Sequence, residues 1–348
     1  MKTNNRITRS VLIGAATLAA VALTPPAEGA FPMNIETVLI EAPNSIANAP
    51  DPATTYGAVG YDYYIGKYEI TQEQWKDFLN AAAKTDTHGL WNNSMDYNGY
   101  SGITRTGAPG SYVYGITSGY EKRPVVFVSL LSAKRFCNWL TNQALSGGVS
   151  NDTETGVYNM GVANGVRDPD EWQKAGVVAL PTNDEWYKAA YYDPNKSGGA
   201  GYYTHSTTGA GKPGGDVMDN DRANYANSYR SDPNGGNWTY YLNPVGFYED
   251  YAGAYGAVDM TGNVWEWTDN PYNPSSRVVR GAAFNSNVLT LAADRSGSYN
   301  MYDDELNFLG FRVASLAPIP EPSTYGVIGG ALVGLLCLVR RKRRAVAP

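Results

Sequence analysis

The chain has 348 residues, 43% of them hydrophobic and 12% aromatic, with a formal net charge of −6, which is enough for one large domain or two small ones with a real core. Residues 1–30 carry +2 and residues 318–348 carry +4, which leaves −12 on the body between them, and an acidic body excludes nucleic acid as a partner because phosphates are repelled. Two cysteines, Cys137 and Cys337, and two histidines, His88 and His205, exclude a disulfide framework and a multi-histidine metal centre.

Taken in chain order, residues 1–30 read as a secretory signal. Lys2, Arg6 and Arg9 precede the apolar run Val11 to Leu23, and Ala27-Glu28-Gly29-Ala30 supplies small residues for cleavage. Residues 31–55 are rich in Pro and Asn and read as an extended lead-in. Strand-type residues fill Tyr61 to Ile65 and Tyr68 to Ile70. Thr71 then caps a helix whose Trp75, Phe78 and Leu79 share one face. Asp86 to Gly119 shows no period and reads as a long loop. Val125 to Val128 reads as a short apolar strand, and Ser129 or Ser132 opens a helix that buries Cys137 as a small hydrophobe. Ser146 to Arg167 is loop, and Thr182 to Glu185 is a capping box that opens the helix of Trp186. Asp219, Asp221 and Asn224 read as a solvated turn.

The most informative stretch is Gly256 to Asp269, which contains Asp259-Met260-Thr261-Gly262-Asn263-Val264-Trp265-Glu266-Trp267. Tryptophans two apart leave an extended backbone on opposite sides, so burying both pins the segment between two layers and shelters Glu266. A sheltered carboxylate needs a partner. Asp259, the carbonyls of Gly262 and Val264, and Glu266 are oxygen donors of the kind a hard cation such as calcium takes. The alternative is a tight turn around a hydrogen-bonded acid.

This stretch resembles the signature of the sulfatase-modifying-factor, or formylglycine-generating-enzyme, family. Further blocks follow the family's order: Tyr64 to Thr71, Arg123 to Ser129 with Cys137-Asn138-Trp139-Leu140, Leu180 to Ala190, Arg277 to Gly281, and Gly310 to Ala314. The resemblance covers residues 56–317 and implies a single loop-rich α+β domain related to the C-type lectin fold. It also implies a second calcium position at Asn224 and the backbone of Tyr225.

Residues 318–348 change character. A Pro-rich linker (residues 318–324) leads to an apolar run of 15 residues, Tyr325 to Val339, and then to Arg340-Arg341-Lys342-Arg343-Arg344. That order resembles the PEP-CTERM sorting signal. It implies transient membrane anchoring through residues 325–339, processing by an exosortase-type sorting protease, and export to the cell envelope or beyond.

In the family, formylglycine is made at copper(I) held by two cysteines after an Arg-Gly-Gly-Ser block. Here the block reads Arg280-Gly281-Ala282-Ala283, and the first cysteine position falls near Ser286, with no cysteine between Cys137 and Cys337. A serine hydroxyl is neither soft nor ionised. Neither copper nor iron is therefore expected, and Ser286, Arg280 and Arg295 mark a degenerate active-site region with no catalytic residue. The leading expectation is a non-catalytic module that binds a protein or glycan ligand through Tyr- and Asn-rich loops. The alternative is a divergent oxidoreductase that modifies a protein cysteine.

Overall fold

The computed structural model describes residues 33–42, 49–96, 99–162, 165–207, 223–225, 242–300 and 304–319. The segment read as a secretory signal (residues 1–30), Asp219 and Asp221, Cys337 and the apolar run 325–339 lie outside the described residues. Among the described residues no helix is long and apolar enough to cross a membrane.

The elements in order are β1 (Thr37–Ile40), β2 (Tyr63–Gly66), α1 (Gln72–Ala82), β3 (Ile103–Thr106), β4 (Val113–Ile116), α2 (Leu130–Ser146), α3 (Pro169–Trp172), β5 (Val178–Ala179) and α4 (Asn183–Tyr191). They continue with β6 (Tyr192–Asp193), β7 (Gly201–Tyr202), β8 (Trp265–Asn273), β9 (Ser276–Arg280), β10 (Gly297–Asn300), β11 (Leu309–Gly310) and β12 (Ala314–Ser315). This is the loop-rich α+β architecture expected from the resemblance. The long helices begin where the capping residues place them. Thr71 and Thr182 each close a full capping box, with Gln74 and Glu185 reaching back, and Ser129 caps α2.

Two four-stranded sheets organise the molecule, one in the order β1-β2-β12-β5 and the other in the order β10-β9-β8-β11. The segment 309–315 serves both. Leu309 and Gly310 pair in parallel with Trp265 and Glu266, and four residues later Ala314 pairs with Ile65 on one side and Ala179 on the other. Gly310 makes that crossing possible, since a Cβ there would lie 2.6 Å from the Val125 carbonyl oxygen. The core packs Trp75, Phe78, Phe136, Trp139 and Phe311 into one aromatic cluster, with Trp75 stacked on Phe136 at 5.7 Å. Cys137 is buried in the same core.

The structure corrects three readings. The lead-in 31–55 contains β1, which pairs antiparallel with β2 from Thr37↔Gly66 to Ile40↔Tyr63, so it belongs to the first sheet. The stretch 86–119 contains the β3–β4 hairpin, with Ile103 opposite Ile116. Four-residue strands are too short to show a period in sequence. Val125 to Val128 does not form a strand. Phe127 takes a left-handed backbone at φ +62°, and the neighbouring amides go to different segments, Val125 N–H to Ile70 and Phe127 N–H to Leu306.

Candidate functional site

The Trp-Glu-Trp stretch opens β8, and both indoles are buried, Trp267 fully. Trp267 Nε1 donates to the Val128 carbonyl at 3.0 Å. The turn before them is strained in a specific way. Asp259, Gly262 and Asn263 all have positive φ, at +56°, +83° and +62°. Gly262 has no substitute, because a Cβ would sit 2.3 Å from the Asn224 carbonyl oxygen. Asn263 tolerates its conformation and acts as the polar hub. Its Oδ1 accepts from Asn224 Nδ2 and from the Asn243 N–H, both at 3.1 Å, and its Nδ2 donates to Glu69 Oε1 at 3.2 Å.

Glu266 meets its partner inside the protein. Arg312, which lies between β11 and β12, donates from Nε to Oε2 at 2.6 Å and from Nη2 to Oε1 at 2.7 Å. Trp186 of α4 donates from Nε1 to Oε2 at 2.7 Å. Glu266 and Arg312 are both fully buried. The remaining donors of Arg312 reach the carbonyls of Gly66 at 2.9 Å, Lys67 at 3.2 Å and Val258 at 3.0 Å.

Two more carboxyls stand close by. Glu69 is buried, and among the described residues its Oε1 accepts from Asn263 and its Oε2 has no hydrogen-bond partner. Burial, reinforced by the neighbouring Asp259, pushes its pKa well above the usual carboxylate range, with Arg312 opposing. Asp259 Oδ2 accepts the Gly246 N–H at 2.7 Å. Although part of Asp259 reaches solvent, burial raises its pKa to about 6 against the pull of the Gly246 N–H and Arg312.

This geometry gives Glu266 donors within the protein, the alternative to a cation ligand. Both of its oxygens are occupied by a bidentate guanidinium and an indole, so Glu266 itself has no oxygen free for a calcium ion. The Val264 side chain packs into an apolar cluster with Val126, Leu242 and Phe284. Asn224 comes beside the turn through a bridge to Gly262, where its amide donates to Asn263 Oδ1, and the Tyr225 side chain is buried in the core. Among the described residues no group of three acidic, histidine or cysteine side chains is placed to hold a metal. Glu69 and Arg312 are the members of this site that sequence reasoning did not assign to it. Both lie in motif blocks, but nothing local signals that they converge on the turn.

Arg280, Arg295 and Ser286, the residues read as a degenerate active-site region, take the following places. Arg280 is fully buried, donates to Asn183 Oδ1 at 2.7 Å and to the carbonyls of Ala293 and Arg295 at 3.1 and 2.9 Å, and stacks over Tyr56 at 4.6 Å. Arg295 is exposed beside Asp294 at 3.4 Å. Ser286 Oγ accepts the Ala283 N–H at 2.9 Å and closes its own turn. Burial pushes the Cys137 thiol well above its ordinary value, which removes the thiolate a reactive cysteine needs.

The chain belongs to the sulfatase-modifying factor enzyme 1-like domain family, whose match spans residues 25–317. Among its relatives is the "Chaperone protein LppX" of Paenibacillus barcinonensis, 26% identical over 267 residues, which are 69% of this chain and 75% of that protein. The "Inactive C-alpha-formylglycine-generating enzyme 2" of Mus musculus is 40% identical over 76 residues, 19% of this chain and 24% of that protein. The "Hercynine oxygenase" of Mycobacterium tuberculosis is 25% identical over 218 residues, 61% of this chain and 38% of that protein.

Proposed function

We propose that the protein is a non-catalytic member of its family that binds a protein or glycan ligand at the cell envelope or outside it. One observation carries this reading. Where the family's copper-binding pair would begin stands Ser286, whose hydroxyl is already committed to the Ala283 N–H, and no cysteine lies between Cys137 and Cys337. Soft copper(I) requires thiolates, and the buried Cys137 cannot supply one. The word "inactive" in the mouse relative's name points the same way.

Export rests on the composition of residues 1–30, and sorting by an exosortase-type protease rests on the order Pro-Glu-Pro, apolar run and Arg-rich tail in residues 318–348. The Tyr- and Asn-rich loops supply rings that stack on sugars or protein surfaces at low entropic cost. The alternative is a divergent oxidoreductase acting on a protein cysteine; the hercynine oxygenase relative favours its oxidoreductase part alone. Oxygen uptake with a cysteine-containing sulfatase peptide and added copper separates the two. No uptake and no stoichiometric copper(I) binding are the outcome of the first reading, and turnover of the peptide defeats it.

A further inference from the structure

The turn whose oxygens suit a hard cation is filled by the protein's own charge. Arg312 directs all of its N–H groups at oxygen: Nε and Nη2 at the two oxygens of Glu266, Nη1 at the carbonyls of Gly66 and Lys67, and Nη2 also at the carbonyl of Val258. These acceptors come from three places, the end of β2, the turn before β8 and β8 itself. Gathering oxygens from separate chain segments around one positive centre is what a structural hard cation does. A guanidinium is suited to the task because its five donors are fixed in a plane and its charge is not lost at any physiological pH.

We infer that Arg312 is the resident cation of the Asp259–Glu266 turn and takes the place of a divalent ion there. The two cannot coexist at Glu266. Its carboxylate is fully buried and bonded at both oxygens, and a divalent ion next to a guanidinium in a dry site would be repelled with little screening. The turn is therefore held by covalent charge and is insensitive to chelators, unlike a metal-dependent turn.

Terbium(III) tests this in the full-length chain. It takes the oxygen ligands that calcium takes and emits when a neighbouring indole is excited, and Trp186 lies against Glu266. Wild type and Asp259→Asn are expected to give the same emission, whereas Arg312→Gln gains emission that calcium competes away. A wild-type emission exceeding that of Asp259→Asn, with calcium removing the difference, would overturn the inference. So would a folded Arg312→Gln without the gain. The comparison of wild type with Asp259→Asn decides the matter even where Arg312→Gln does not fold.

Discussion

Glu266 and Glu69 are two fully buried carboxylates in one cluster, and the protein treats them in opposite ways. Glu266 receives three hydrogen bonds, two of them from Arg312. Glu69 receives one and keeps an oxygen without a partner. The contrast shows how a single cation is shared out. One guanidinium cannot neutralise Glu266, Glu69 and Asp259 together, so it stays with the carboxylate it meets bidentately. The other two adapt by holding protons to higher pH, as the upward shifts of Glu69 and Asp259 show.

The comparison breaks most visibly at Arg312. Arg312→Met leaves Glu266 charged and unpaired in the interior, and removing one partner of a buried pair costs about 3–5 kcal/mol. Chemical denaturation should register a loss of that size. A loss below about 1 kcal/mol would mean that the Arg312 pair adds little at Glu266, and the contrast with Glu69 would disappear. Trp267→Ala is a control for packing alone. It empties a fully buried site on the same strand and should cost about 3–5 kcal/mol without changing the pH dependence.

Asp259 sharpens the comparison through pH. Its folded pKa of about 6 lies above the ordinary value of an unfolded aspartate, so the folded state binds more protons between the two. The stability that this contributes is full below about pH 4 and is lost as pH rises through 6. Asp259→Asn should flatten that decline, which is on the order of 1–2 kcal/mol for a partly exposed group. Melting curves at pH 4 and pH 8 read it directly, and an unchanged slope would remove Asp259 from the proton-holding set. Glu69→Gln should be neutral or stabilising above pH 6, within about 1 kcal/mol, because it replaces a group that burial already disfavours in its charged form. The smallest effect belongs to the degenerate region. Arg295→Ala removes only an exposed pair with Asp294 and should lie within about 0.5 kcal/mol of wild type.

Much of this architecture was legible from residues alone. Thr71 and Thr182 announce their helices, and Ser129 or Ser132 a third that the structure starts at Ser129, because a cap is a local hydrogen bond between residues two or three apart. Trp265 and Trp267 announce a pinned strand because alternation is built into extended backbone. The sequence motif also pointed to Glu266 as a sheltered acid in need of a partner, but it left open whether that partner was a metal or a donor within the protein. The β3–β4 hairpin escaped notice because its strands are short, and Val125 to Val128 misled because an apolar run carries no information about φ at Phe127.

What the sequence by itself determined was the local grammar: capped helices, buried tryptophans, a family motif around Glu266, and the absence of any cysteine between Cys137 and Cys337. Only the tertiary structure decided that Glu266 is held by Arg312, 46 residues away, and that Glu69 is left with an oxygen unpaired. The physical reason is range. Caps and alternation are settled within a turn or a strand, whereas the charge balance of a buried site depends on which distant segments the two sheets bring within about 3 Å of one another.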